Sequence, residues 1–273
     1  MPILQLDLFA GSGNRPDQTA APTAGRPRRI ASELEDEALI TAIPHDFVGD
    51  CRSLTAEAAR RQLVWAVLAL EALCRRFRGF GLEHPVPEQT AALEALAEIS
   101  GGEAAGAVRR ILVEKIVQGS GLKSALKAAA RLGVGLPVKV IVSLLRHEAP
   151  EIRAGGCRCA RSPAVIPLLL GLLDDPDHVV AREAACALGR MGRNDARPML
   201  LRLLRQAPSA AVIDAISAIT DEECLVILGR IAWTRPDLVD AALEALDSIG
   251  SPPAMKIAAA SRRSLGRSAT SSG

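Results

Sequence analysis

A chain of 273 residues can hold one large domain, two small ones, or a stack of repeats. Hydrophobic residues make up 49% and aromatic ones only 2%, with no Tyr, so the apolar content is mostly Ala, Leu, Val and Ile and favours packed helices over sheets. A net charge of +2 on 33 basic and 31 acidic residues excludes a chain-wide field for gathering nucleic acid, leaving only local stripes, and six Cys without paired spacing do not form a disulfide framework.

Near the start lies "LQLDLFAGSG", residues 4 to 13, which has two incompatible readings. Leu6 to Gly13 resembles the strand and glycine loop that hold S-adenosylmethionine in methyltransferases. That site needs a helix directly after the glycines and parallel strands around it. Here Gly13 runs into Asn14, Arg15 and Pro16, and no strand pattern follows anywhere. Gln5 to Phe9, "QLDLF", resembles the peptide by which bacterial DNA-processing proteins dock on the replication sliding clamp. The resemblance implies polar contacts from Gln5, a supporting contact from Leu6 and a spacer at Asp7. Leu8 and Phe9 would fill the main apolar pocket. The alternative is that the apolar residues fold back and cap one end of a repeat stack.

Residues 10 to 30 are rich in Gly, Pro, Ala, Thr and Arg without apolar period, which predicts a disordered tail over 1–31. "SELE" follows, with Ser32 placed to cap a helix and Glu35 to reach back. A helical block over 32–134 is expected from there. One long helix runs from Thr55 to about Phe77, and within it "LVWAVLALEALC" is a buried core helix, too short for a membrane span and interrupted by Glu71. Further helices begin at Pro87, at Gly102 and at Leu122. No basic leader precedes the block, and a cytoplasmic protein is expected.

From 135 to 265 the sequence repeats itself. "EIRAGGCRCA", "VVAREAACAL", "AAVIDAISAI" and "DLVDAALEAL" align, with Ile152, Val180, Ala211 and Leu238 in one column and Gly156, Ala184, Ala215 and Ala242 in another. The period is about 27 to 31 residues, the range of helical solenoids. A Leu-rich helix opens each unit, and a turn with Pro150, Pro176, Pro208 or Pro236 leads into the Ala-rich second helix. Small residues on the second helix let its partner approach, and no unit can bury both faces alone. A short tail, 266–273, is expected to be disordered.

"LLDDPDHVVAREAACALGRMG", Leu172 to Gly192, resembles the HEAT repeat in the short bacterial form first associated with phycobilisome bilin lyases, a resemblance that does not imply lyase activity. The aspartates, the turn Pro, the aliphatic residue after it and "AACALG" carry the match; Ile152–Arg153 keeps an Arg that Val180–Ala181 lacks. The resemblance implies an all-α fold, a right-handed α-α superhelix, whose second helices line a concave groove. It implies a binding scaffold and no chemistry.

On that reading the groove offers Arg153, Arg158, Arg182 and Arg190 at one end and Asp240 and Glu244 at the other. Such a dipolar surface suits a protein segment of mixed charge better than a polyphosphate. Scarce aromatics argue against base stacking. The bases Arg75, Arg76, Arg78, Arg109, Arg110, Lys115, Lys123, Lys127 and Arg131 keep DNA contact as a lesser option. Cys157 and Cys159, two apart on a helix, point in different directions and read as core filler rather than a metal claw. His45, His84, His147 and His178 are scattered, and "HEAP" at His147 lacks the second His of a zinc protease. No catalytic constellation, cofactor or metal is expected, and the chain is read as a non-enzymatic adaptor. A HEAT-like DNA glycosylase is the remaining enzymatic reading; it wants aromatics in the groove, whereas Trp65 and Trp233 fall in apolar helices.

Overall fold

A computed structural model describes residues 30–45, 48–82 and 84–270. Among these are fifteen α-helices, six short 3-10 segments and no strand. Fourteen helices form seven consecutive pairs. The first three are α1 (Asp36–Ala42) with α2 (Val48–Arg60), α3 (Val67–Arg76) with α4 (Pro87–Glu98), and α5 (Gly102–Val113) with α6 (Gly119–Arg131). Then come α7 (Val138–Leu145) with α8 (Pro150–Cys159) and α9 (Ile166–Gly171) with α10 (His178–Arg190). The last are α11 (Arg197–Gln206) with α12 (Ala210–Ser217) and α13 (Glu222–Thr234) with α14 (Val239–Ile249). A final helix, α15 (Pro252–Thr270), closes the stack against α13 and α14.

The second helices form an unbroken row: α2 packs on α4, α4 on α6, and so on to α14. The first helices meet their row neighbours less regularly, closely only at α3–α5 and α13–α15. A stack whose second row is the tighter one curves toward that row, which makes it the concave side. The expected all-α solenoid is therefore present, and it extends further than the repeat alignment did. α6 and α8 pack across residue 134, so the first three pairs belong to the same ladder as the rest. Among the described residues no helix is long and apolar enough to cross a membrane.

Local chemistry starts the helices. Asp177 Oδ1 accepts from Val179 N (2.8 Å) and Val180 N (3.2 Å) at the start of α10, and Asp221 Oδ1 accepts from Cys224 N (3.1 Å) in α13. Pro87 and Pro150 sit in the first turns of α4 and α8, where a missing N–H costs nothing. The repeat column of Gly156, Ala184, Ala215 and Ala242 is buried throughout. A Cβ on Gly156 would lie 2.9 Å from Leu144 Cβ, and one on Gly189 would lie 2.6 Å from Ala215 O. Glycine at these positions sets how closely α8 meets α7, and α10 meets α12. The Leu residues of the first helices fill the seams: Leu144, Leu169, Leu200 and Leu228 are buried, each contributing roughly 1.5–3 kcal/mol.

Several expectations are corrected. The single helix predicted from Thr55 to Phe77 is two helices with a reversal at Arg61–Leu63. No Gly or Pro marks it. Gln62 itself takes the left-handed conformation (φ 55°) that Gly133, Gly192 and Gly250 take at the equivalent turns. Its side chain makes that bearable: Nε2 donates to Ala59 O (3.0 Å) and Glu98 O (2.9 Å), while Oε1 accepts from Ser100 N (2.9 Å). The "buried core helix" in this stretch is only half buried, for Leu70 and Leu73 face inward while Trp65 is 84% and Leu68 72% exposed. The capping box at Ser32 is absent, since Ala31–Glu33 is a 3-10 turn and α1 starts at Asp36. Ala31 is buried there rather than part of a tail. In the column headed by Ile152, Ala211 is exposed and Val212 takes the buried place. α15 continues to Thr270, into the segment 266–273 expected as tail.

Candidate functional site

The concave row was expected to carry the site, and its residues fall into two kinds. Arg153, at the start of α8, is committed to the fold. Nε and Nη2 donate to Asp175 Oδ2 and Oδ1, both at 2.9 Å, and Nη1 donates to His147 O (3.0 Å) and Glu148 O (2.7 Å). The Arg153 guanidinium holds the Asp175 carboxyl below the usual carboxylate range. Asp175 Oδ1 also accepts from Asp177 N (2.9 Å), and Asp177 caps α10. Arg153 is thus a staple between two repeats, and the expectation that it serves a partner is corrected.

Arg158, Arg182 and Arg190 are each partly buried. Arg158 Nη2 and Arg182 Nη2 donate to the same oxygen, Glu183 Oε1, at 3.2 and 2.9 Å. Glu183 is itself buried on α10, so one carboxylate anchors two arginines whose side chains keep 38% and 42% of their surface. Arg190 Nε is buried without a hydrogen-bond partner. Its charge lies close enough to Cys157, Cys159 and Cys186 to oppose the burial that pushes those thiols up to about 12, 11 and 11. Thiols held that high are inert at neutral pH.

Farther along, Asp214 on α12 and Asp240, Glu244 and Asp247 on α14 are exposed. Arg262 of α15 pairs with Asp247. By formal charge, counting Arg153, α8 and α10 each carry one base in excess, α12 one acid and α14 three acids. Cys186, Ala154 and Ile213, on the same second helices, are buried. No Trp or Phe lies on any second-row helix. Trp65 and Trp233 sit on the first row, 84% and 66% exposed.

The bases of the first block do not make one stripe. Those on α3, on α5 and at their ends face the outer row and are mostly engaged. Arg75 and Arg110 both bind the buried Glu71, at 2.7 and 2.6 Å, and Arg75 also binds Glu114 (2.7 Å). Burial pushes the Glu71 carboxyl up, but the hydrogen bonds from Arg110 and Arg75 outweigh it and leave it below the usual range. Arg109 Nε donates to Gly135 O. Lys123, Lys127 and Arg131 are on α6, in the concave row, where Lys123 reaches Glu151 across the next repeat (3.0 Å).

Sequence reasoning missed Glu183 and gave Asp175 no role. The signal for Glu183 was available, as a lone carboxylate inside the Ala-rich "VVAREAACAL" has to meet a cation when that helix is buried. Gln5, Leu6, Asp7, Leu8 and Phe9 lie outside the described residues.

The class that this fold defines is an all-α helical-repeat solenoid. Comparison with known proteins shows what part of it resembles. Residues 138–220, which hold the three pairs α7–α8, α9–α10 and α11–α12, match the family model described as HEAT repeats. Among solved structures the chain is similar to that of YibA from E. coli. The identity is 12% and the TM-score 0.38, over 81% of this chain and 94% of that one. No curated protein matches the chain.

Proposed function

We propose that the protein is a non-catalytic scaffold that holds a protein partner along its concave row. The observation that carries the reading is the charge pattern there, with Arg158, Arg182 and Arg190 followed by Asp214, Asp240 and Glu244 over three repeat steps. A partner segment with an acidic stretch followed by a basic one matches it in register. Nucleic acid fits less well, because a uniform polyphosphate meets repulsion at α12 and α14. The glycosylase reading is not favoured, since its aromatic residues would have to come from a row that has none.

The test is site-specific photo-crosslinking in cells from Ser217, at the end of α12 between Arg190 and Asp240, with the same crosslinker at Trp233 on the outer row as control. The expected result is a discrete adduct from Ser217 that disappears in Arg182→Glu and in Glu244→Lys. Equal adducts from both positions, or none that respond to charge, would remove the reading.

A second reading concerns Gln5–Phe9. All five positions match a sliding-clamp peptide, and about twenty residues separate them from the first helical turn. Burying Leu8 and Phe9 contributes roughly 1.5–3 kcal/mol each, which after ordering costs leaves a dissociation constant on the order of micromolar. A fluorescent peptide of residues 1–14 mixed with purified clamp should bind, and its Leu8→Ala/Phe9→Ala control should not. Equal signals from the two refute it.

A further inference from the structure

The first-helix row has an opening. α5 and α7 do not close on each other, and between them, floored by the start of α6, lies a cleft of about 700 Å³. Its walls are apolar: Leu112 and Val113 from the end of α5, Leu122 from α6, Val140 and Leu144 from α7, with Leu82 at the mouth. Leu82 is 74% and Val113 39% exposed, so large aliphatic groups stand in water where a covering segment would remove them from it. Every ionisable residue in the lining is a base, namely Lys115, Lys139 and His147. Along α7 the apolar pair Val140 and Leu144 runs beside Lys139 and Ser143, each pair one turn apart. The occupant such a cleft calls for has two or three large apolar side chains and a carboxylate at its edge.

The chain carries a segment of that chemistry in Leu4–Phe9. Laid out as an extended peptide, Leu4, Leu6 and Leu8 share one side and Asp7 falls on the other. Asp7 is the only acidic residue among the first 16. The tether is sufficient. The first described residue, Ile30, belongs to the first pair and the cleft to the third and fourth. With helices about 8–10 Å apart and about 20 Å long, the span is on the order of 35 Å. Twenty intervening residues reach at most about 65–70 Å and average about 25 Å.

We propose that Leu4–Phe9 docks in cis in the α5–α7 cleft, Leu6 and Leu8 against the Val140–Leu144 stripe and Asp7 at the rim between Lys115 and Lys139. A tether of this length supplies an effective concentration near millimolar. A peptide affinity on the order of 100 μM in the cleft then holds the segment docked about ten to one and weakens any docking of the same residues elsewhere about tenfold. The proposal stands apart from the clamp reading, although both use the same residues.

Carbodiimide coupling of the full chain tests it, because the reagent joins a carboxylate to an amine only in contact. The lysines of the chain are Lys115, Lys123, Lys127, Lys139 and Lys256, and two of them line the cleft. The expected product is an Asp7–Lys115 or Asp7–Lys139 link in monomeric protein, reduced at least fivefold by Leu6→Ala/Leu8→Ala and by Val113→Asp. Should Val113→Asp fail to fold, the Leu6→Ala/Leu8→Ala comparison decides alone. Asp7 links spread evenly over the five lysines, links found only in dimers, or cleft links indifferent to Leu6 and Leu8 would each overturn the proposal. Clamp binding by residues 1–14 without cleft links leaves the clamp reading standing and this one refuted; cleft links without clamp binding do the reverse.

Discussion

Replacing Arg153 by alanine should loosen the joint between α8 and α10 and nothing else. The side chain is 15% exposed and its partner Asp175 5%, and their two bonds are both 2.9 Å. Breaking a buried ion pair by removing one partner costs about 3–5 kcal/mol, because the other charge stays buried. The turn lies near the surface and Asp175 keeps one bond from Asp177 N, so the loss belongs at the lower end, about 3 kcal/mol. Asp175→Ala should cost less, about 2 kcal/mol, since the guanidinium retains the His147 and Glu148 carbonyls. If the pair acts as a unit, the double variant loses about 3 kcal/mol rather than the summed 5, a coupling of about 2 kcal/mol. Urea titration followed by helical circular dichroism measures the cycle. Hydrogen exchange on the same variants locates the loss, because a repeat stack can open one seam at a time. A coupling below about 0.5 kcal/mol, or exchange that rises uniformly along the stack, refutes the staple.

The turns offer a paired prediction. Lys115 holds φ at 53° with no side-chain bond to compensate, so Lys115→Gly should stabilise the chain by about 1 kcal/mol, whereas Gln62→Gly gives up three hydrogen bonds and should cost about 1–2 kcal/mol; thermal melts with the opposite order refute this. Gly189→Ala should destabilise by about 2–3 kcal/mol, since its Cβ would meet Ala215 O and Leu200 Cδ1 at 2.6 and 2.7 Å, while Gly171→Ala, with open space around it, should stabilise by about 0.5–1 kcal/mol. Acid should unfold the protein in a defined window. Hydrogen bonds from Arg60 and Arg61 hold Glu57 down to about 2, and Glu71, Glu114 and Asp175 are also lowered. Depressed carboxylates stabilise fully above their unfolded values and lose that contribution as pH falls through the folded ones, so the urea midpoint should be flat above about pH 5 and drop from about 4.5 toward 2. A midpoint that rises on acidification contradicts it.

What the sequence determined is whatever is local or periodic. The 3.6-residue apolar period, the prolines at 150 and 87, the caps at Asp177 and Asp221, and the recurring Gly156–Ala184–Ala215–Ala242 column depend on neighbours within a few residues, and they specify an all-α repeat stack on their own. What needed tertiary structure is whatever depends on a partner far along the chain. The reversal at Gln62 is invisible in "ARRQLVWA" because the groups that stabilise it, Glu98 O and Ser100 N, are supplied by another helix pair. The fate of two groove arginines turned on a carboxylate 22 or 25 residues away: Arg153 on Asp175, bonded twice and withdrawn from the surface, and Arg158 on Glu183, sharing it with Arg182 and staying half-exposed. The α5–α7 cleft follows from helix spacing, to which no single residue testifies. Periodicity says which face of a helix must be covered; only the assembled stack says which faces were left open.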